Sequence, residues 1–415
     1  MIFSKEYLQN IILKTDPASH AFRTHALNQF LASGFPTSKQ EEWKYTDVSE
    51  LTKINFELNN KLDINIDAVK IKTDLFTFDA YRIVFIDGQY CEILSSKNNN
   101  IISIISKNAD NIAQLLKQSD NTGFSALNNA LFQDGAYINI PDKTILNKPI
   151  HIVHIQTQNN VNQMNYLKHF IVAGEQSEAS IIEDYIGLEG NQYFNSIASD
   201  IVAKQNSTLN HYRLQRDSKQ AFHIAKTNIF PEKNAVVNTY HIALGSKLMR
   251  HDLNYCFNHA GASGNLIGLY YGHQNQHLDF HTRVDHIAEQ CDSRQNYKGV
   301  MSDNARGVFN GKIIVHKNAQ KTNAHLDNRN LLLSEKAEID TKPELEIDAD
   351  DVQCSHGATV GCLDEQALFY LQSRGISADK AKKILIQAFI SEILDLLPNE
   401  QIQSYIRSVV MQYEM

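Results

Sequence analysis

Cysteine is scarce in this chain of 415 residues, and the patterns in which cysteines usually act together are missing. No two cysteines form a C-x-x-C pair, which excludes a zinc ribbon and a thioredoxin-type redox site. An odd number of scattered thiols also argues against a disulfide framework and favours a reducing compartment. The cysteines are Cys91, Cys256, Cys291, Cys354 and Cys362.

Positive charge and long apolar runs are lacking as well. The formal net charge is -8, which predicts no broad basic surface of the kind that binds nucleic acid. The N-terminal segment lacks the basic start, the apolar core and the small-residue cleavage site of a secretory signal. No apolar run approaches the about 20 residues needed to span a bilayer. These absences predict a cytoplasmic protein that uses neither nucleic acid nor a membrane as its partner.

The common catalytic and nucleotide-binding motifs are also absent. The chain contains no G-x-S-x-G, no H-E-x-x-H and no dinucleotide glycine fingerprint. Gly307 and Gly311 precede Lys312, but their spacing does not fit a P-loop and no Ser or Thr follows the lysine. We therefore expect no nucleotide site on this chain.

The first 60 residues read as a helical region, and residues 61–135 as a mixed α/β connection. Helical spacing of apolar residues predicts two early helices, the second ending at Gly34. Trp43, the only tryptophan, is expected to anchor this region to the next one by packing. In the connection, residues 81–88 predict a strand with a turn, and residues 107–118 a short helix.

Residues 136–353 change in character, because short β-rich runs replace helical periodicity. Small polar turns separate these runs and recur about every 28 residues, with closer turns towards the end. A sandwich of hairpins would also have short strands, but Asn310-Gly311 is the only Asn-Gly turn dipeptide. We therefore predict a stacked coil of parallel strands, a β-helix whose open ends need caps.

Residues 354–415 predict a C-terminal helical region. Asp364 is a plausible N-cap and Gly375 a plausible C-terminal stop of its first helix. Apolar residues at helical spacing then predict two more helices. The predicted stripe of the second helix consists of Ala381, Ile384, Leu385, Ala388, Phe389, Ile393 and Leu396, and that of the third of Ile402, Tyr405, Ile406, Val409, Val410 and Tyr413.

Cys354 and His356 are the residues most suggestive of chemistry. In an extended chain their side chains point the same way, and a thiolate beside an imidazole suits iron–sulfur or zinc binding. Two ligands do not complete a tetrahedral site, so other parts of this chain or a second chain would have to close it. A buried cysteine beside a hydrogen-bonded histidine at a strand end remains the alternative.

Other polar residues favour structural interpretations. His281 and His286 could be ligands, but in a chain with 17 histidines they are more simply wall or surface residues of a strand. The acidic run Glu344, Glu346, Asp348, Asp350 and Asp351 is more typical of a solvated edge than of a cation site.

The C-terminal third resembles the SufB/SufD family of iron–sulfur cluster assembly proteins. The resemblance lies in YKGVMSDNARGVFNGKIIVH (297–316), AQKT (319–322), NRNLLLS (328–334), KPELEIDADDVQCSHG (342–357) and LFYLQSRG (368–375). EEWKYT at 41–46 resembles the N-terminal region of the same family. Within the family, the chain is more similar to SufD than to SufB, because SufB chains are longer and carry an additional cysteine-rich N-terminal segment.

The resemblance implies a mainly β fold, a right-handed parallel β-helix flanked by helical regions. It implies a non-catalytic scaffold that pairs with a SufB-like subunit and binds a SufC-like ATPase through the C-terminal helices. It also implies that His356 faces SufB and helps to hold a transient iron–sulfur cluster, or iron, shared with SufB. Cys354 matches a family cysteine in the same motif. Whether the chain also pairs with itself is left open.

Two rival interpretations remain open. One is a β-helix carbohydrate-active enzyme with paired carboxylates in a groove, for which Asp279, Asp285 and Glu289 are candidates. Such enzymes are commonly secreted, and this chain lacks a signal. The other is a purely structural partner that binds the ATPase without touching a cluster.

Overall fold

A computed structural model describes residues 5–13, 15, 17–58, 77–97, 100–107, 122–157 and 162–413. The short helix predicted at 107–118 lies outside these residues except for its first position. The α-helices in the described residues are α1 (Lys5–Ile12), α2 (His20–Ser33), α3 (Ser49–Lys53), α4 (Gly123–Leu131), α5 (Glu365–Ser373), α6 (Ala378–Leu394) and α7 (Glu400–Tyr413).

Strands make up most of the described chain between residues 81 and 361. They are β1 (Glu57–Leu58), β2 (Tyr81–Ile86), β3 (Gln89–Tyr90), β4 (Ile102–Ile104), β5 (Ala136–Ile140), β6 (Ile150–Gln156), β7 (Gln163–Ala173), β8 (Glu178–Gly187), β9 (Tyr193–Ala203), β10 (Thr208–Arg216), β11 (Phe222–Pro231), β12 (Val236–Ala243), β13 (Leu248–Phe257), β14 (Ser263–Gly272), β15 (His277–His286), β16 (Asp292–Met301), β17 (Arg306–Val315), β18 (Asn323–Leu332), β19 (Glu338–Ile347) and β20 (Gln353–Gly361).

The strands form two sheets, and successive strands of the β-helix alternate between them. Sheet A runs β19-β17-β15-β13-β11-β9-β7-β5-β4, with β1 beside β7, and sheet B runs β20-β18-β16-β14-β12-β10-β8-β6-β2-β3. The ladders from β5 to β20 are parallel, and each rung therefore contributes one strand to each sheet. Thr208 pairs with Glu178 on one side and with Val236 on the other, offsets of 30 and 28 residues. The β-helix and its repeat length are thus confirmed.

The turns repeat in the same backbone conformation. Asn206 and Asn234 have φ angles of 59° and 56°, in the left-handed region that Asn tolerates at low cost. They stack, because Asn234 Nδ2 donates to Asn206 Oδ1 at 3.2 Å. Gly261 takes the next place in this column, where a Cβ atom would lie 2.3 Å from Asn234 Oδ1. The Asn310-Gly311 dipeptide lies inside β17, which supports the β-helix over a sandwich of hairpins.

The N-terminal helices pack on the outer face of sheet A. Residues of α1, α2 and α4 share an apolar cluster with Phe56, Phe194 and Phe222. Trp43 joins this cluster, because its ring lies 5.6 Å from that of Phe124 and the Arg250 guanidinium sits 3.7 Å above it. Arg250 belongs to β13, so the predicted anchoring role of Trp43 is confirmed.

The C-terminal helices pack on the outer face of sheet B. Asp364 Oδ1 accepts from the Gln366 amide at 2.8 Å, and Gly375 adopts a φ of 84°, so both predicted helix ends are confirmed. The predicted stripe of α7 is buried from Ile402 to Val410. In the described residues, no helix is both long and apolar enough to cross a membrane.

Two details differ from the expectation. The predicted helical region from residue 354 begins only at Glu365, because residues 354–361 continue the ladder with β18. The buried face of α6 carries Ile386 and Ile390, whereas Ala388 of the predicted stripe is exposed and Leu396 lies beyond the end of the helix. Apolar residues occupy more than one face of α6, and periodicity alone does not determine which of them faces the sheet.

Candidate iron–sulfur half-site

Cys354 and His356 lie on β20, the last strand of sheet B. In the ladder with β18, Cys354 stands opposite Ala324 and His356 opposite Leu326. Ala324 and Leu326 are buried in the interior core, and Cys354 packs partly against the same cluster. Since side chains in register share one face of a sheet, Cys354 and His356 lie on the inward-facing side of β20, at the open end of the β-helix.

The two side chains differ in exposure. His356 is exposed, whereas Cys354 is only half-buried. Burial raises the pKa of the Cys354 thiol, and a hydrogen bond with the Ala324 backbone only partly opposes this shift. Because the thiolate is the metal ligand, Cys354 of the isolated chain is a protonated thiol that would ligate only after losing its proton.

The described residues do not complete a metal site around this pair. Among them, no group of three or more His, Cys, Asp or Glu side chains is arranged to hold a metal ion. Cys362 is exposed just beyond the end of β20, while Cys91 and Cys291 are buried core residues. The pair therefore supplies two donors of different kinds at a surface, which corresponds to half of a tetrahedral site.

A cluster of buried amides and hydroxyls lies behind β20, and the sequence analysis missed it. Tyr270 donates its hydroxyl hydrogen to Asn330 Oδ1 at 2.6 Å, and Asn330 Nδ2 donates to Asn328 Oδ1 at 2.6 Å. Thr341 of β19 also donates to Asn328 Oδ1, at 2.8 Å. Asn330 Nδ2 reaches the Thr359 carbonyl at 3.2 Å, so this cluster ties β20 to the rest of the interior.

A second polar cluster fills the middle of the β-helix. Glu183 is fully buried and accepts hydrogen bonds from Arg213 at 2.8 Å, Tyr185 at 2.6 Å and Ser199 at 2.8 Å, with His211 Nε2 at 3.0 Å. Burial by itself raises the pKa of this carboxyl, but His211 and Arg213 outweigh it and hold the pKa well below its usual range. The Glu183 carboxylate is therefore charged and hydrogen-bonded, whereas His211 Nδ1 is buried without a hydrogen-bond partner in the described part of the chain.

The histidines and acids that the sequence singled out have structural roles. His286 is buried against Phe257 and bonded to Ser293 Oγ at 2.8 Å, and burial lowers its pKa to about 4. Burial also lowers the pKa of His281, but Asp279 at 3.1 Å outweighs it and raises that pKa to about 9. In the acidic run, Glu346 pairs with Lys312 at 2.6 Å, as expected for a solvated edge.

Two of the three carboxylates proposed for a carbohydrate-active enzyme do not converge. Asp279 and Asp285 stand six residues apart on β15, which is about 20 Å at the rise of a strand. Glycosidic catalysis needs two carboxyl groups within about 10 Å of each other. Asp279 is also fully buried in an ion pair with Arg250 at 3.1 Å. Asp279 and Asp285 are therefore not a catalytic pair.

Two models of known protein families match this chain. The family model described as "SUF system FeS cluster assembly, SufBD core domain" matches residues 154–389, more than half of the chain. The chain belongs to the SufBD family. The model described as "SufBD protein N-terminal region" matches residues 4–152 of this SufBD chain.

Individual relatives place the chain near SufD. The iron–sulfur cluster assembly protein SufD of Escherichia coli is 33% identical over 384 residues, covering 92% of this chain and 89% of the relative. An iron–sulfur cluster assembly SufBD family protein of Synechocystis is 35% identical over 395 residues, covering 90% and 86%. SufD of Bacillus subtilis is 26% identical over 431 residues, covering 98% and 97%. The chain is therefore an iron–sulfur cluster assembly protein of the SufD-like kind.

Proposed function

We propose that this chain is a non-catalytic, cytoplasmic scaffold subunit of a SufBCD-type complex, and that its open end pairs with a SufB-like subunit. The supporting observation is the position of His356 and Cys354 on a terminal strand whose outer edge has no partner among the described residues. A SufB-like chain that pairs there would bring the missing donors to the two that this chain offers. The iron–sulfur cluster is the cargo of this site and is shared across the interface.

The C-terminal helices are proposed to bind a SufC-like ATPase. Phe369 and Tyr370 of α5 are 73% and 57% exposed, although large aromatic side chains are usually buried. Leu396, which follows the end of α6, is 44% exposed. Exposed apolar patches of this kind mark protein interaction sites. An ATPase bound here would supply the nucleotide chemistry that the sequence of this chain lacks.

The test of the half-site is the replacement His356→Ala in the co-expressed three-subunit complex. We expect the complex to assemble, with bound iron and cluster transfer to an acceptor protein reduced by at least about tenfold, as for the loss of a metal ligand or its support. His325→Ala is the matched control, because His325 lies on the neighbouring strand and its Nδ1 contacts Ser355 Oγ at 2.6 Å on the other face. An intact complex with unchanged cluster transfer would contradict the role of His356.

A purely structural partner is the second candidate. Normal cluster output from a complex that carries both Cys354→Ala and His356→Ala would favour it. Self-pairing through the same edge is a related question, since an open strand edge can also accept a second copy of the chain. Light scattering of the chain with and without its SufB-like partner would distinguish the homodimer from the heterodimer.

A further inference from the structure

A buried lysine fastens helix α6 to the β-helix. Lys298 of β16 is only 2% exposed, and its Nζ donates to the Phe389 carbonyl at 2.9 Å and to Glu392 Oε2 at 2.6 Å. The ammonium group also lies 4.2 Å from the centre of the Phe389 ring. A buried charge requires such partners, so these contacts hold this turn of α6 in one position over β16.

Glu392 also reaches the next strand of sheet B. The same Oε2 atom lies 3.9 Å from Arg329 Nη1 on β18, and Arg329 is itself paired with Asp327 at 2.7 Å. In the ladder, Lys298 stands opposite Arg329, and Arg329 stands opposite Thr359 of β20. Glu392 therefore bridges two of the three strands in a row that ends three residues from His356.

The remaining contacts of α6 with sheet B are mainly apolar. Ile386, Ile390 and Ile393 pack in a cluster with residues such as Leu269 and Val300. Apolar packing is non-directional and tolerates small sliding movements, whereas the charged hydrogen bonds of Lys298 fix distance and direction. The bridge is therefore the part of this contact best suited to pass a helix movement on to the sheet.

We infer that Lys298 and Glu392 are positioning residues that transmit movement of α6 to β20, and thereby set the place of His356. This inference rests on the proposed function, in which the ATPase binds the C-terminal helices. When the ATPase shifts α6, Glu392 displaces β16 and β18 together, and β20 follows because β18 is its ladder partner. The residues touch neither cluster nor nucleotide.

The experiment uses the three-subunit complex with Glu392→Gln and Lys298→Met, and measures amide hydrogen exchange of residues 353–361 with and without ATP. We expect the ATPase subunit in both variant complexes to bind and hydrolyse ATP normally. The ATP-dependent change in exchange at β20 should fall by about threefold to tenfold, the usual size of a lost coupling contact. Asp395→Asn is the control, because Asp395 pairs with Arg407 between α6 and α7 and does not reach the sheet.

The outcomes separate the inference from the function on which it rests. An unchanged response of β20 in both variants, with the ATPase bound, would overturn the coupling role and leave the proposed function standing. An equal loss in the Asp395→Asn control would also overturn it, since general loosening of the helices would then be the cause. Failure of the wild-type chain to bind the ATPase would contradict the proposed function and the inference together.

Discussion

At its N-terminal end the β-helix stops at two very short strands, whereas its C-terminal end presents two long strand edges. On the N-terminal side, sheets A and B end in the antiparallel strands β4 and β3, which have three and two residues. At the other side β19 and β20 have ten and nine residues, and no described residue pairs with their outer edges. Open edges are liabilities that proteins usually cover. The two ends therefore differ in the length of their terminal strands, and the proposed pairing with a partner uses the long ones.

The largest expected effect concerns the apolar contact between the N-terminal region and sheet A. Phe56 is fully buried and lies 6.0 Å from the rings of both Phe194 and Phe222. Phe56→Ala should lower the free energy of unfolding by about 3–5 kcal/mol, because it leaves a cavity. Val360→Ala at the open end, where the side chain is 45% exposed, should change it by less than about 0.5 kcal/mol. Urea denaturation of both variants measures the contrast, and similar losses would contradict it.

The second prediction removes a hydrogen-bond donor from the free edge of β20 without disturbing the fold. The Gln353 amide donates to β18, and alternate residues of a parallel strand direct their amides to opposite edges, so the Ala358 amide faces the free edge. Ala358→Pro removes that donor and should weaken binding of the SufB-like subunit by about 10–100-fold. Ala358→Val keeps the amide and is the control. Calorimetric titration measures the affinity for the SufB-like subunit. Equal affinity of the Pro variant and wild type would show that pairing does not use this edge.

A third prediction uses the buried histidines of the interior. Burial lowers the pKa of His169 and of His286 to about 4 in the folded chain. The unfolded chain then binds more protons between pH 4 and 6.5, so the stabilisation is complete above pH 6.5 and is lost as the pH falls towards 4.

As the pH falls from 6.5 to 5, each of these histidines should lower the free energy of unfolding by about 1–2 kcal/mol. This range avoids the opposite contribution of His281, whose pKa of about 9 removes stability only as the pH rises above 6.5. Urea unfolding at the two pH values measures the loss, and His286→Asn should reduce it. A pH dependence that is unchanged in that variant would contradict the assignment.

The smallest expected effect tests what anchors the N-terminal helices to sheet A. Trp43→Phe keeps an aromatic ring beside Phe124 but weakens the stacking of Arg250 on the indole. We expect a loss of about 0.5–1 kcal/mol, as for a partly exposed cation–π contact. The urea midpoint reports this loss. A cost as large as that of Phe56→Ala would mean that Trp43 belongs to the core of the cap.

Much of the fold could be predicted from local signals. Turns at a regular spacing, the scarcity of Asn-Gly dipeptides and the capped C-terminal helices each have a local physical cause. The continuation of the β-helix beyond residue 353 could not be predicted. Ser355 to Gly361 are mostly small or polar and lack the alternation of a half-buried strand. They are a strand because β18 offers them an edge. The rotation of α6 depends in the same way on sheet B.

The candidate site was predicted in part. The alternation of side chains along an extended strand predicted that Cys354 and His356 share one face. Their position at an open end depends on the order of the strands in the sheet, which local sequence does not reveal. The ion network around Glu183 was missed, because His211 and Arg213 are far away in sequence. Their separations from Glu183, 28 and 30 residues, match the length of a rung, so polar residues recurring at that period were the available signal.

The C-terminal helices are attached to the β-helix at two points that lie several rungs apart. Tyr405 of α7 donates to Asp184 on β8 at 2.5 Å, and Lys298 on β16 holds α6, four rungs further along. Four rungs span about 19 Å at the usual distance between strands. Deleting one whole rung would leave the ladders continuous, yet it would move these two attachment points about 5 Å closer together. The number of coils is therefore matched to the length of the helices that lie along them.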